Sequence, residues 1–323
     1  MKGIILWYNA NRKTIWKIVG VVVVAILGLQ LIQYVWKQRQ QNENKYTENT
    51  NEVTVIGSRL NTITIQESES VVTGDKITQA QESQLTILDN FVNYCNENKI
   101  NEAYALLSDD CKSEMYPKVE NFKQSYYNAI FAGGKRNVSV ENWFGNVYKV
   151  KFINDALSTG VYDKQNTIQD YITLVNEDQG NVKLNINNYI GKQDINKENE
   201  SYNIKTKVIE KHTYMDYETY TFEVTNNSNT TILLNNNNNM DTMYLEDTRS
   251  HKYNAYVQEI PQVNLQIGIK ETKRFTIKYY NQYSSSKTIN KIVFGKVLLD
   301  YNAYKNYSNP GFYSNYGMIE IDL

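Results

Sequence analysis

Histidine, cysteine and proline are scarce in this 323-residue sequence, which contains two, two and three of them. The histidines, His212 and His251, each have one neighbouring acid or none at ligand spacing, so a zinc site is not expected. The cysteines, Cys95 and Cys111, allow at most one disulfide. Cys95 falls on the apolar face of a predicted helix, where a free thiol commonly packs as a small hydrophobic side chain, and both states remain open.

The sequence also lacks an excess of charge of either sign. Lysine and arginine total 34 against 35 aspartates and glutamates, and the pI is about 6.2, so a nucleic-acid partner is not expected. There is no phosphate-binding loop, no Gly-x-Ser-x-Gly motif and no EF-hand loop, and no cofactor is predicted. Abundant Asn, Lys, Ile and Tyr with little proline is typical of AT-rich coding sequence, so the 27 tyrosines do not by themselves indicate a ligand site.

One long stretch is free of charge, from Ile18 to Trp36. As a helix it spans roughly 28 Å, close to the hydrocarbon thickness of a bilayer. It is too long for the apolar region of a cleaved signal peptide, and no small-x-small cleavage site follows. We therefore expect an uncleaved signal anchor, with residues 1–17 as a short cytoplasmic head and the rest of the chain extracytoplasmic. The bias in flanking basic residues that supports this orientation is slight.

Residues 37–83 form a polar segment that offers nothing to bury a core. We interpret it as a largely disordered, flexible linker. A chain of this length has a typical end-to-end distance of roughly 35–40 Å, enough to hold a domain clear of a bilayer. Short alternations such as Ile63-Thr-Ile65 are compatible with local pairing.

Residues 84–191 show helical spacing first and strand spacing afterwards, which predicts an α+β domain. Three apolar helix faces are expected, formed by Leu85, Leu88, Phe91, Val92 and Cys95, by Ala103, Leu106 and Leu107, and by Val119, Phe122, Tyr126 and Ile130. Pro117 is a favoured first position of the third helix, and Gly133-Gly134 ends it. Strands follow, including residues 167–175 and 181–190.

The first two strands predict their own register. Their apolar alternates are Val138, Val140, Val150 and Phe152. Pairing Asn142 with Tyr148 places these alternates on one face and sets Glu141 opposite Lys149 on the other. The pairing requires a loop of three or five residues, and it puts Trp143 on the polar face or in the loop.

The stretch NKINEAYALLSDD, followed by this order of strands, resembles the NTF2-like superfamily over about residues 84–191. The resemblance implies a cone-shaped fold in which helices pack on a curved antiparallel sheet. Membrane-anchored domains of this kind occur in conjugation and type IV secretion scaffolds, in penicillin-binding proteins and in surface proteins, whereas other members are enzymes. An enzyme needs a desolvated acid on the concave face. Asp170 and Tyr171 are the candidates for such a pocket, although a solvated aspartate at a strand start is the simpler interpretation.

A polar segment around residues 191–203 reads as a domain boundary, and residues 203–323 show strand spacing throughout. The expected core-facing alternates are Tyr220, Phe222 and Val224, then Val263, Leu265 and Ile267, then Phe275, Ile277 and Tyr279. The apolar run INKIVFGKVLLD is typical of a strand buried on both faces. The succession of FEVTNNSN, IKETKRFTIKY and KIVF resembles immunoglobulin-like domains of bacterial surface proteins, which implies an all-β sandwich that binds or spaces.

Three further features are candidate sites. Trp143 is the best candidate for a partner contact, because an aromatic residue on a polar face is unusual and such residues often dominate interfaces. Asn235 to Asn239 offer side-chain oxygens to calcium, but a solvated hairpin loop explains them more simply. The tyrosine-rich tail at residues 300–317 is compatible with a sugar-binding platform or, more simply, with packing over the end of the sandwich.

These features predict a membrane-anchored extracytoplasmic binding or scaffold protein, in a conjugation-type channel or another cell-envelope complex. Its expected partners are the bilayer, through Ile18–Trp36, and other envelope or membrane proteins, and a homo-oligomer is compatible with the sequence. The alternative is an enzyme or carrier for a small hydrophobic ligand held in the cone.

Overall fold

The computed structural model describes residues 62–65, 79–154, 167–177, 181–236, 240–284 and 287–323. All of them belong to one compact unit, Val55–Leu323. Among the described residues, no helix is both long and apolar enough to cross a bilayer. The predicted head, the predicted span at residues 18–36 and most of the predicted linker lie outside the described residues.

The first part of the unit is α+β, with helices packed on a five-stranded sheet in the order β1-β2-β3-β4-β5. Its helices are α1 (Gln79–Asn96), α2 (Ile100–Ala105), α3 (Asp109–Met115) and α4, which runs through Val119–Phe122, a π-helical turn at Lys123–Tyr127 and Asn128–Phe131. Its strands are β1 (Ile63–Ile65), β2 (Arg136–Phe144), β3 (Val147–Asn154), β4 (Ile168–Asn176) and β5 (Val182–Asn185). Two described pieces of the predicted linker are thus ordered, since β1 pairs in parallel with β2 and α1 begins at Gln79.

The helical predictions hold for most of the buried faces and fail at two boundaries, one of which is the start of α4, at Val119 rather than at Pro117. All five apolar residues predicted on α1 are buried, as are Phe122, Tyr126 and Ile130 on α4. The second predicted helix ends at Ala105, before Leu106 and Leu107, because the chain there bonds to β5 instead. The backbone amide of Leu184 donates to Leu106 O at 3.0 Å. The chain then enters α3, which the sequence analysis did not predict.

The β2–β3 hairpin has the predicted register. Glu141 lies opposite Lys149, and Asn142 lies opposite Tyr148. The pairing continues one step further than expected, because Phe144 pairs with Val147, and the odd residue is accommodated by a bulge between Asn142 and Phe144. Gly145 in the remaining tight turn has a φ of 56°, which favours glycine.

The second part of the unit is all-β and forms a sandwich of two sheets. The strands are β6 (Tyr189–Ser201), β7 (Ile204–Tyr214), β8 (Glu218–Asn226), β9 (Ile232–Leu233), β10 (Met243–Asp247), β11 (Lys252–Asn254), β12 (Gln266–Ile267), β13 (Thr272–Tyr279), β14 (Ile289–Leu298) and β15 (Tyr316–Asp322). One sheet has the order β13-β8-β7-β6, and the other has the order β11-β10-β14-β9-β12 with β15 also paired to β14. Short helices α5 (Gln262–Leu265) and α6 (Tyr301–Lys305) lie in the connections.

The core of the sandwich follows the predicted alternation. Phe222 of one sheet meets Phe294 of the other with ring centroids 5.4 Å apart, and both are fully buried. The apolar run in β14 is buried on both faces, as predicted, at Ile292, Val293, Phe294, Val297 and Leu298. Val263 was expected in a strand but lies in α5 with 65% of its surface exposed, because a helical turn begins at Gln262, directly after Pro261 at the N-cap.

The polar segment expected to separate the two parts is itself a strand. β6 pairs with β7 along almost its whole length, from Tyr189 to Ser201. Its side chains are mostly exposed, so the pairing rests on backbone hydrogen bonds rather than on an apolar face. The first sheet and the sandwich are therefore joined by the tight turn between β5 and β6.

Candidate functional site

The sandwich opens into a cleft at the end where β7 and β8 meet. Residues facing the interior of β8 alternate, and Glu218 is in phase with the buried Tyr220 and Phe222. On the neighbouring strand, Thr213 pairs with Glu218 and Lys211 pairs with Tyr220. Interior positions that are apolar elsewhere in the sandwich are therefore polar or charged here, and they line a cavity of about 300 Å³.

The Glu218 carboxylate is the centre of this cleft and is 8% exposed. One oxygen lies 3.4 Å from both Lys211 Nζ and Thr213 Oγ1. The other accepts from the Tyr220 hydroxyl at 3.0 Å and from Asn281 Nδ2 at 2.9 Å. Burial and the adjacent Glu218 charge raise the pKa of Tyr220, so its hydroxyl keeps the proton that it donates. The carboxylate thus fixes four surrounding side chains.

The opposite wall comes from residues 281–284 and 287–289, together with Leu323. Lys287 Nζ donates to Gln282 O at 2.9 Å and to Asn281 Oδ1 at 3.3 Å, and it lies 4.9 Å from the Tyr253 ring. Tyr283, which also lines the cleft, contacts Phe144 at the tip of the β2–β3 hairpin with ring centroids 6.5 Å apart. The cleft therefore lies beside the first sheet.

Trp143 and Tyr171 lie together on the face of the first sheet that points away from the helices. Glu141, Lys149 and Tyr171 form one cross-strand row over β2, β3 and β4. Trp143, at the bulge, meets the Tyr171 ring edge-on with centroids 5.4 Å apart, and both are half-buried. The aromatic pair, with a lysine and a glutamate beside it, fits a contact with another protein, and its role as a partner contact stays a prediction.

Asp170 does not act with Tyr171, because successive strand residues point to opposite faces. Its carboxylate is 4% exposed in the core of the α+β part, so the interpretation as a solvated aspartate is wrong. It accepts from the Tyr126 hydroxyl at 2.7 Å and from the backbone amides of Asn187 and Asn188 at 2.9 and 2.8 Å. These two asparagines form the β5–β6 turn with φ near +60°. Asp170 therefore holds that turn.

Cys95 and Cys111 are both buried free thiols. Burial raises the pKa of both, that of Cys111 to about 12, so neither is a thiolate near neutral pH. The packed, unbonded state considered for Cys95 is the one observed.

His212 joins the two parts of the unit. Its Nδ1 lies 3.0 Å from the Tyr189 hydroxyl and 3.5 Å from Glu114 Oε2, on α3. The Tyr214 hydroxyl donates to the other oxygen of Glu114 at 2.5 Å. These contacts connect α3 to β6 and β7. Among the described residues, no group of three or more metal-ligating side chains comes together.

His251 lies in the turn between β10 and β11, beside Asp247. The carboxylate of Asp247 accepts from the backbone amides of Arg249 and His251 at 2.8 and 2.9 Å, from His251 Nδ1 at 3.1 Å and from the Tyr253 hydroxyl at 3.0 Å. Burial acts to raise the pKa of Asp247, but these hydrogen bonds outweigh it and hold the pKa at about 2. Both histidines thus have partners that stabilise the fold.

Four tyrosines of the tail pack against the core of the sandwich, as its simpler interpretation expects: Tyr301, Tyr304, Tyr313 and Tyr316. Tyr313 lies at the centre, with its ring centroid 5.3 to 5.6 Å from those of Tyr304, Tyr307 and Tyr316. Asn236 Nδ2 donates to the Tyr304 hydroxyl at 2.8 Å. Residues 237–239 lie outside the described residues, so the calcium alternative stays a prediction.

The sequence analysis missed the cleft. Its one signal was Glu218, a charged residue in phase with three buried alternates of the same strand. No protein-family model matches the chain, and neither a curated protein nor a solved structure shows a match to it. The fold and the cleft define an α+β domain followed by a β-sandwich with a polar cleft at one end.

Proposed function

We propose that this chain is a single-pass membrane protein whose unit Val55–Leu323 is a binding or scaffold part on the extracytoplasmic side. Within that unit, residues 84–191 are an NTF2-like domain and residues 203–323 are an immunoglobulin-like sandwich. Such a protein serves in a conjugation-type channel or another cell-envelope complex. The anchor is supported by the uncharged run from Ile18 to Trp36.

The state of Asp170 is the observation that favours binding over catalysis. It is the one acid that the sequence offered for chemistry inside the cone, and its carboxylate is already engaged by two amides of the β5–β6 turn and by the Tyr126 hydroxyl of α4. A general acid or base needs access to the reacting atom. The alternative, an enzyme or carrier with its ligand inside the cone, therefore has less support than a binding protein.

The anchor is tested by charges placed in the middle of the run. We expect Ala25→Arg together with Leu27→Arg to release the protein from carbonate-washed membranes, because each charge at the centre of a span costs about 2.5–3.5 kcal/mol. Gln38→Arg with Gln40→Arg, just outside the run, should leave it in the membrane. Protease added to intact cells should digest the unit Val55–Leu323 of the unaltered chain. A unit that resists such protease, or a mature protein that begins after Trp36, contradicts the proposal.

The partner contact is tested by crosslinking intact cells and purifying an N-terminally tagged chain. We expect Trp143→Ala to weaken the recovered complex by roughly 30-fold in affinity, since buried interface tryptophans contribute about 2 kcal/mol or more. Tyr307→Ala, which removes an exposed aromatic ring in the tail, is the matched control and should change nothing. A strictly monomeric protein without crosslinked neighbours would rule out the scaffold role.

A further inference from the structure

We propose that the cleft between the sheets of the sandwich is a binding site for a small carboxylate with an apolar body, held by Lys211 and Lys287. This site goes beyond the proposed function and does not depend on membrane attachment. Either one can fail while the other stands.

The cleft is built rather than left over from imperfect packing. Buried charges are costly unless they are paired, and interior sandwich positions are normally apolar. Here Glu218 is buried and has a donor on every side, with Tyr220 and Asn281 at 3.0 and 2.9 Å. These bonds fix the orientation of the side chains around an open volume of about 300 Å³, at the small end of the range for ligand sites.

Lys211 supplies the donor for the ligand. An ammonium group has three N–H donors, and within the described part of the chain Lys211 makes one contact, to Glu218 at 3.4 Å. The two remaining donors call for an acceptor. Glu218 cannot serve a cationic ligand equally well, because its four donors already satisfy both oxygens.

Lys287 contributes a fixed positive charge. Its hydrogen bonds to Gln282 O and Asn281 Oδ1 and its position over Tyr253 hold the ammonium at the mouth of the cleft. The lining side chains thus carry two positive charges and one negative charge. In the untagged chain the α-carboxylate of Leu323 offsets one of the positive charges, so the preference for an anion rests on the unused N–H donors of Lys211 rather than on net charge. In a partly desolvated cleft the attraction between an ammonium group and a carboxylate is stronger than in water.

The rest of the lining selects an apolar body. Ile195, Ile289 and Leu323 are half-buried and face the cavity together with the ring of Tyr220. A ligand with one carboxylate and an aliphatic or aromatic body of modest size matches both halves of the wall. The same chemistry is presented by a free monocarboxylic acid and by the C-terminal residue of a peptide.

Isothermal titration calorimetry on the full-length chain, without a tag at Leu323, tests this site. We expect benzoate and hexanoate to bind with a Kd on the order of 0.1–1 mM, as suits ligands of this size. Benzamide and benzylamine should bind at least tenfold more weakly. Acetyl-Ala-Phe with a free carboxylate distinguishes the two sources, and its amide is the control for the carboxylate. Tighter binding of this peptide than of benzoate assigns the site to a peptide C-terminus, and weaker binding assigns it to a free acid.

Substitutions place the binding in the cleft. Lys211→Met should weaken benzoate binding at least tenfold, and Lys287→Met, at a half-buried position, should weaken it several-fold without affecting folding. Lys205→Met is the matched control, because Lys205 lies on the same strand, is exposed and pairs with Glu198 at 3.0 Å. The proposal is overturned if neither acid binds, if benzylamine binds as well as benzoate, or if both cleft variants bind benzoate as the control does.

Discussion

Replacing Asp170 by alanine is expected to lower the free energy of unfolding by about 3–5 kcal/mol, because it leaves the buried Tyr126 hydroxyl and two partly buried backbone amides without their acceptor. The carboxylate now accepts from Tyr126 and from the amides of Asn187 and Asn188 at 2.7 to 2.9 Å. Without it, the left-handed β5–β6 turn loses its anchor. Urea unfolding of the full-length chain in micelles, followed by circular dichroism, measures the change.

The isosteric variant Asp170→Asn should cost less, about 2 kcal/mol, because one oxygen still accepts while the new amide group faces a donor. The difference in stability between the unaltered chain and Asp170→Asn depends on pH. Burial raises the pKa of Asp170 above its ordinary value of 3.8, although the hydrogen bonds act against the shift. The folded chain therefore holds a proton that the unfolded chain has released, so this stabilisation is present below the ordinary value and is lost as the pH rises through the raised one. The gap between the unaltered chain and Asp170→Asn should narrow over that window.

Two further variants separate the carboxylate from its surroundings. Tyr126→Phe removes one of the three hydrogen bonds and should cost about 1 kcal/mol. Asp109→Ala, at a position 95% exposed at the start of α3, should cost less than about 1 kcal/mol. If Asp170→Ala were no worse than Asp109→Ala, the carboxylate would not hold the turn.

The register of the β2–β3 hairpin was predictable because its two faces differ so strongly. Placing Asn142 opposite Tyr148 is what keeps four apolar side chains on the buried face, and a slip of one residue would expose them all. The bulge that follows was not predictable in detail. The spacing required an odd number of residues between the paired positions. A longer loop meets that requirement, and so does a tight turn with one extra residue bulged out of the strand.

Asp170 and β6 show why other parts of the fold could not be predicted from the sequence. The position of Asp170 in its strand determines the face on which it lies. Its partners, the amides of Asn187 and Asn188, come from a turn that forms only where the two sheets meet. β6 is stabilised by its backbone pairs with β7, while its side chains are exposed, so composition marks it as a linker. Both features depend on contacts distant in sequence. The cleft around Glu218 does too, since its walls come from four strands and a loop.

Asn226 is expected to respond to the exchange of amide and carboxylate in the opposite way to Asp170, because here the amide group is essential. The side chain is fully buried, and its Nδ2 lies 2.8 Å from Thr230 O, 3.2 Å from Ile267 O and 3.0 Å from Gly268 O. Its Oδ1 accepts from the amide of Ser228 at 3.0 Å. One side chain thus connects the turn after β8 to the turn before β13.

Asn226→Asp should therefore cost about 3–5 kcal/mol near pH 7, more than the roughly 1–3 kcal/mol expected for Asn226→Ala. The alanine removes one donor from each of three carbonyl oxygens, although Thr230 O keeps Ser228 Oγ at 3.1 Å and Gly268 O keeps the amide of Glu271 at 3.2 Å. The aspartate instead places a buried negative charge against all three. That environment favours the protonated acid, which supplies one donor, so the folded state takes up a proton more readily than the unfolded state does. The stability of Asn226→Asp should thus recover relative to Asn226→Ala as the pH falls from 7 to 4.

Asn227→Asp is the matched control, because it makes the same chemical change at the adjacent exposed position and should be nearly neutral. Urea unfolding at several pH values compares the three variants. Equal losses for aspartate and alanine at pH 7, or a loss for aspartate that does not change with pH, would mean that the amide of Asn226 does not donate to these carbonyls. The two isosteric exchanges then test one principle in both directions. A turn held by a buried acceptor is destabilised when the acceptor becomes an amide, and a turn held by a buried donor is destabilised when the donor becomes a carboxylate.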